Sequence, residues 1–251
     1  MNNEGGADVK GHLHPMSVAT RDIATIFGKM GFGIAYGPEM ESEWYNFTAL
    51  NVPPDHPARD MQDTFWVKDF PGTVLRTHTT AVTIRELEKM AKAGETEKRM
   101  LCIGKAFRNE ATDATHEAQF HQYDGFAVGP IGSVTLAHLK GTWVRFYQEF
   151  LGIDAKVRFR PSFFPFTEPS VEVDLWFEAP GKEGRWLEMF GAGMLHPNVI
   201  RNAGLDPEKV AGFAFGPGLE RAIMVKYGVP DVRLFHNGDA RFVDAFYKKS
   251  A

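Results

Sequence analysis

With 251 residues, 43% of them hydrophobic and 13% aromatic, the chain is long enough to bury a full core in one large domain. Its net charge of −4 argues against a broad basic face, so an RNA partner would need additional anchoring. The single cysteine, Cys102, sits in an apolar run. It excludes an intrachain disulfide, reads as a small buried hydrophobe and points to a reducing compartment. No stretch has the length of a membrane span, and the N-terminus lacks the regions of a signal peptide; a soluble, cytoplasmic protein is expected.

In chain order, the first predicted helix is capped by Ser17, carries Ile23, Ile26, Phe27 and Met30 at helical spacing, and stops at Gly31. A strand over Phe32 to Met40, containing Pro38, follows. Residues Thr79 to Ala93 form a second helix, with Ile84, Leu87, Met90 and Ala91 on one face and Gly94 at the end. The segment from Lys105 to Asp124 then concentrates cation, carboxylate, imidazole, aromatic and amide in a strand, loop, strand arrangement. Arg108 presents a planar donor fork suited to phosphate or carboxylate. Phe120, Gln122 and Asp124 share one parity of a strand and so one face, where an aromatic platform, an amide and an acid suit a flat ring and an ammonium. Taken singly, Arg108 and Glu110 read equally well as a surface pair and Phe120 as core; taken together they point to a binding site.

A third helix, Ser133 to Leu151, places Leu136, Leu139, Trp143, Phe146, Tyr147 and Phe150 on a core stripe. Strands follow at Lys156 to Arg160, at Val171 to Phe177 with Val171, Val173 and Leu175 alternating, and at Arg185 to Phe190. Gly181 to Gly184 link the last two as a hairpin. Gly212-Phe-Ala-Phe-Gly216 is a short strand running into a helix at Leu219. Helices alternating with groups of strands predict an α+β fold with a largely antiparallel sheet flanked by helices.

The glycine cluster around Gly216 and Gly218 has neither phosphate-loop nor dinucleotide spacing, yet it places Arg221 in the first turn of a helix, where a guanidinium can stack on a base, neutralise a phosphate or pair with a nearby acid. Nine histidines lack the spacing of a zinc site, so no structural zinc is expected. His78 and His116 lie in polar loops close to the other candidates.

Three segments resemble the signature motifs of class II aminoacyl-tRNA synthetases: the first helix with Gly31-Phe-Gly-Ile-Ala-Tyr-Gly-Pro38, Phe107-Arg108-Asn-Glu110 with its loop and strand, and Gly216-Pro-Gly-Leu-Glu-Arg221. More narrowly, Tyr45-Asn-Phe-Thr-Ala-Leu-Asn51, Asp55 to Phe65, Arg76-Thr-His-Thr79, Asp113-Ala-Thr-His116, Arg160 to Pro169 and Gly191-Ala-Gly-Met-Leu-His-Pro197 resemble the phenylalanyl-tRNA synthetase α subunits, from Gly11 to Phe246. The resemblance implies activation of phenylalanine with ATP to phenylalanyl-adenylate and pyrophosphate, then transfer to tRNA(Phe). It implies catalytic roles for Arg108, His116 and Arg221. In ATP binding, Arg108 meets the α-phosphate, Glu110 the adenine amino group and His116 the β- and γ-phosphates; Phe120 and Arg221 sandwich the ring, and Glu188 stands near ATP and Mg2+. For the amino acid it implies a polar end at His78, Thr80, Gln122 and Asp124, aromatic walls at Phe164 and Phe166, and a small floor residue at Ala214. Here Thr80-Ala-Val-Thr83 replaces the Ser-Pro and Gln of many bacterial relatives, and Asp124 stands where glutamate is usual.

The expected organisation is a flexible segment over residues 1–10 and one class II synthetase-like catalytic domain over 11–251, without the family's N-terminal coiled-coil arm or an anticodon-binding domain. Weak tRNA binding by the chain alone follows, with a β subunit as partner and a dimer contact through the first motif. Two other functions remain open at this point: a non-catalytic subunit binding amino acid or nucleotide, and an adenylate-forming relative with a non-tRNA acceptor.

Overall fold

The computed structural model describes residues 11–60, 63–178 and 183–248. Helix α1 (Pro15–Lys29) begins before the predicted Ser17 cap. Pro15 takes the first helical position, where its missing N–H costs nothing, and the Nδ1 of His14 accepts from the Met16 N–H at 3.2 Å. The predicted strand from Phe32 to Met40 is broken in two: β1 (Gly33–Ile34) and β2 (Met40–Ser42). Pro38 cannot donate to a ladder, and the buried Arg76 guanidinium takes the carbonyls of Gly37 and Pro38 at 3.1 and 3.3 Å. A one-turn helix α2 (Glu43–Asn46) and strand β3 (Thr73–Leu75) follow, β2 and β3 forming a small separate sheet.

Helix α3 (Ala81–Ala93) starts after the predicted Thr79, with Thr80 as its N-cap and Gly94 in the left-handed region at its end. Next come the long strands β4 (Lys98–Phe107) and β5 (Gln119–Pro130), then helix α4 (Leu136–Leu151). The start of α4 is set by Thr135, whose N–H donates to the Nδ1 of His138 at 3.2 Å, rather than by Ser133. Strands β6 (Val157–Phe164), β7 (Thr167–Phe177) and β8 (Arg185–Leu195) run further than their sequence patterns. Pro161 is tolerated within β6 because that strand is the sheet edge. Of the predicted hairpin link, Gly181 and Lys182 lie outside the described residues. Helix α5 (Pro197–Asn202), strand β9 (Val210–Phe215), helix α6 (Leu219–Tyr227) and helix α7 (Ala240–Lys248) complete the chain.

Seven strands form one sheet in the order β1-β4-β5-β9-β8-β7-β6, antiparallel throughout except for the β1–β4 pair. One cluster of buried residues joins Ile23 and Phe27 of α1, Trp143 and Phe146 of α4, and Ile223 of α6 to Tyr123 and Ala127 of β5. A second joins Ile84, Leu87 and Met90 of α3 and Val199 of α5 to Phe126 and Val128 of β5 and Ala214 of β9. Strand parity explains the division, since successive β5 side chains point to opposite faces. Each fully buried Phe or Leu contributes about 1.5–3 kcal/mol by leaving water. Phe120, Gln122 and Asp124 share the face of Phe126 and Val128. Along β5, that face passes from packed core to polar site within two residues. Among the described residues no helix is long and apolar enough to cross a membrane.

Candidate active site

Two cavities meet at Arg108, which leaves the end of β4. The first, of about 250 Å³, is lined by His78, Thr80, Gln122, Phe164, Phe166 and Ala214, together with Arg108 itself. The Phe164 and Phe166 rings stack at 5.8 Å and 12°, and Phe166 lies 6.4 Å from the His78 ring. Gly191 lets the Phe164 ring lie flat on β8, since any side chain there would collide with it. Ala214, on β9, belongs also to the core beneath.

The polar end of this cavity is dry and incompletely bonded. The Thr80 hydroxyl donates to Oδ2 of Asp124 at 2.6 Å, and the Oε1 of Gln122 accepts from the Thr79 N–H at 3.3 Å. Oδ1 of Asp124 and Nδ1 of His78 are buried without a hydrogen-bond partner in the protein. Buried polar atoms left this way ordinarily find a partner, which makes a ligand the natural one. Burial pushes the Asp124 carboxyl up to about 6, against the Thr80 and Thr79 bonds and the Arg76 and Arg108 charges. Burial and then the Arg108 charge push the His78 imidazole down to about 3, so it is neutral. Asp124 does not itself line the cavity. It sits behind Gly216, where a Cβ would stand 2.8 Å from Oδ1.

The second cavity, of about 160 Å³, brings Arg108 together with Glu110, His116, Phe120 and Arg221. The Arg108 guanidinium lies 5.0 Å over the Phe120 ring, its Nε donates to the Thr77 carbonyl at 3.2 Å, and its Nη1 is 3.9 Å from Glu110. His116 is held by Asp113 at 3.0 Å; the Thr115 N–H and His116 keep that carboxyl well below its ordinary value. Arg221 donates twice to the Glu188 carbonyl, at 2.9 and 2.7 Å. The Glu188 carboxylate lies outside this lining and pairs with Arg160 at 2.8 Å. A wider opening of about 510 Å³ shares His78, Arg108, Phe164 and Phe166 with the first cavity and Glu110 with the second, and the exposed Phe163 lines it.

Residues 2–246 match the family model described as the tRNA synthetase class II core domain (F). The phenylalanine–tRNA ligase alpha subunit of Methylibium petroleiphilum is 48% identical over 246 residues, covering 94% of this chain and 70% of the relative. That of Syntrophomonas wolfei is 49% identical over 244 residues, with the same shares covered. The chain belongs to the phenylalanine–tRNA ligase alpha-subunit family, within the class II tRNA synthetases.

In this member of that ligase family, the sequence-predicted residues divide into those facing a cavity and those behind one. His78, Thr80, Arg108, Glu110, His116, Gln122, Phe120, Phe164, Phe166, Ala214 and Arg221 face the two cavities. Asp124 and the Glu188 side chain do not. Sequence reasoning missed the groups that hold these residues in place. Asn46 is fully buried, accepts from the Thr77 N–H at 3.1 Å and donates to the Thr77 hydroxyl at 3.0 Å, fixing the turn that presents His78. Asp174 binds both Arg158 and Arg160 and so sets the arginine that engages Glu188. Asn46 lies in the Tyr45 to Asn51 segment that carried the resemblance; Asp174 had no signal beyond a lone acid in an apolar strand.

Proposed function

We propose that the chain activates L-phenylalanine with ATP, yielding phenylalanyl-adenylate and pyrophosphate, and passes the aminoacyl group to tRNA(Phe) in company with a β subunit. The observation that carries this is the position of Arg108, one guanidinium lining both the aromatic cavity and the nucleotide-sized one. A carboxylate oxygen from the first cavity would attack the α-phosphorus at the junction, and the bond to pyrophosphate would break on the far side. Arg108 balances charge as it moves from carboxylate to phosphate. No general base is required, because a free carboxylate is already ionised at neutral pH.

Phe164, Phe166 and Ala214 select a phenyl ring by aromatic packing and by limiting depth. The substrate ammonium would pair with the polar end at His78, Thr80 and Gln122, with Asp124 supplying charge from behind. Adenine would lie between Phe120 and Arg221 beside Glu110, with His116 toward the terminal phosphates. Mg2+ supplies charge neutralisation to those phosphates. The described residues hold no cluster of three or more metal-ligating side chains, which suits an ion held chiefly by phosphate oxygens and water; the exposed Glu188 carboxylate is the group offered to it. The wide opening beside Phe163 gives the tRNA acceptor end a way to the adenylate. At the sheet edge formed by β1, the exposed Ile34, Tyr36 and Met40 support a subunit contact. A buried free thiol at Cys102, pushed up to about 12 chiefly by burial, agrees with work in a reducing cytoplasm.

The test is phenylalanine-dependent exchange of labelled pyrophosphate into ATP, by the chain alone and with a phenylalanine–tRNA ligase beta subunit, followed separately by acylation of tRNA(Phe). Exchange that requires phenylalanine and disappears in Arg108→Ala supports the reading. Well-folded protein that exchanges with no amino acid would defeat it, and exchange without acylation would point to another acceptor.

A further inference from the structure

The first turn of α6 carries a second charge beside Arg221. Glu220 is 4% exposed, and its carboxylate crosses to β5, where the His121 N–H donates to Oε1 at 2.9 Å and Oε2 at 3.0 Å. The Nδ1 of the same histidine stands 2.9 Å from Oε1. His236, in the turn after α6, approaches from the other side, its Nε2 3.7 Å from Oε1, an ion-pair distance rather than a hydrogen bond. The two imidazoles are nearly parallel, 6.3 Å apart at 6°. A buried carboxylate is costly unless paired and bonded, and these contacts meet that need.

Position gives the cluster its consequence. His121 lies between Phe120, which faces the nucleotide cavity, and Gln122, which faces the amino-acid cavity. Glu220 immediately precedes Arg221, on the opposite side of the nucleotide cavity. The turn bearing His236 is also tied to the loop before β5: the Val232 N–H donates to the Ala114 carbonyl at 2.9 Å, and Val232 lines the nucleotide cavity. Three pieces of chain therefore close on one carboxylate.

We propose that Glu220, gripped by His121 and His236, is a positioning residue that holds Phe120 and Arg221 at the spacing of an adenine ring, and that the proton on His236 completes the grip. The proposal rests on reading that cavity as the ATP site. The surrounding charges favour the arrangement. The Glu220 contact raises His236 above its ordinary value despite partial burial, and Glu117 acts in the same direction. Burial pushes the Glu220 carboxyl upward, but the His121 and His236 side chains outweigh it and hold it below its ordinary value. His14, capping α1, is lowered by burial and by the charges of His236 and His121, so the third imidazole nearby stays neutral. Asp231 is paired with Arg233 at 2.6 Å, and Asp113 with His116. With a raised histidine, the contribution is complete below its ordinary value of 6.5 and is lost as the pH rises through the folded value.

The experiment measures ATP affinity by calorimetry with Mg2+ present, between about pH 6 and 9, alongside pyrophosphate exchange and thermal midpoints, for the full chain, His236→Phe and His236→Gln. Wild-type affinity is expected to weaken as the pH rises. His236→Phe keeps a flat ring against His121 without a proton, and should bind ATP about tenfold more weakly at low pH, the worth of one unit of pKa, with little pH dependence. His236→Gln retains an N–H that does not titrate and should hold the tighter affinity throughout. A merely structural role would shift the thermal midpoint and leave the pH profile in place. Wild-type affinity flat across this range overturns the proposal, as does a stably folded His236→Phe with the wild-type profile. ATP binding without exchange removes the proposed activity and leaves the clasp standing; a chain that binds no ATP removes both.

Discussion

Around the amino-acid cavity the polar groups are buried and in part unpartnered, with Asp124 and His78 both displaced from their ordinary titration ranges. Around the nucleotide cavity the corresponding groups are largely exposed and already engaged: His116 with Asp113, Arg221 with the Glu188 carbonyl, Arg108 near Glu110. The first half is thus pre-formed, its walls set by core packing, and a ligand completes it by supplying missing partners. The second is an open surface of exchangeable pairs, which a charged ligand must replace one for one. Specificity for the side chain is accordingly expected to reside in the rigid half, and sensitivity to salt in the exposed half.

The largest expected effect comes from the residue the two halves share. Arg108→Ala should lower the rate of pyrophosphate exchange by about 100-fold or more, the scale seen when one oriented charge-stabilising donor is removed; an effect confined to the KM of one substrate would mean that the halves are not joined there. Next, Ala214→Val should cost phenylalanine binding about 1–3 kcal/mol through overpacking of a tight floor, whereas Ala214→Gly should admit para-substituted rings. Equal use of these analogues by both variants would break the picture of a rigid wall.

A smaller effect separates the halves by pH. With a carboxyl at about 6, Asp124 is protonated below that value and offers an ammonium no charge, so the KM for phenylalanine should rise as the pH falls through about 6 while that for ATP does not follow it. In the ligand-free chain the same raised value means stability present at acid pH and lost as the pH rises through about 6. Asp124→Asn should therefore raise the neutral-pH thermal midpoint by a few degrees, and differential scanning calorimetry checks this. The smallest effect is expected at Glu188, whose carboxylate is exposed and spent on Arg160. Glu188→Gln should raise the Mg2+ concentration needed for half-maximal exchange by about threefold, as for other exposed ion pairs worth at most about 1 kcal/mol.

Much of this was legible in residue order. The core stripes of α1, α3 and α4 follow helical spacing, and Phe120, Gln122 and Asp124 share a strand face as period two requires. Helix starts were displaced wherever a local cap competed: Pro15 with His14, and Thr135 with His138, each took precedence over a nearby serine. The break near Pro38 depended on Arg76, which reaches that segment from 38 residues away and leaves no local mark. Within the site, residue types and motif order pointed to the groups that face the cavities. They did not reveal which are supported from behind, as Thr77 is by Asn46 and His121 by Glu220.

The sequence by itself determined the class of chemistry, because cation, aromatic and amide at fixed parity on adjoining strands, followed by an arginine at a helix start, constrain what those surfaces bind. Only the tertiary structure decided that Arg108 belongs to two cavities at once, that Asp124 stands behind Gly216 rather than in the open, and that the Glu188 side chain turns to Arg160. The reason is physical. Side-chain direction follows from local backbone geometry, whereas burial, pairing and titration depend on which distant segments arrive beside each group, and antiparallel strands bring together residues far apart in the chain.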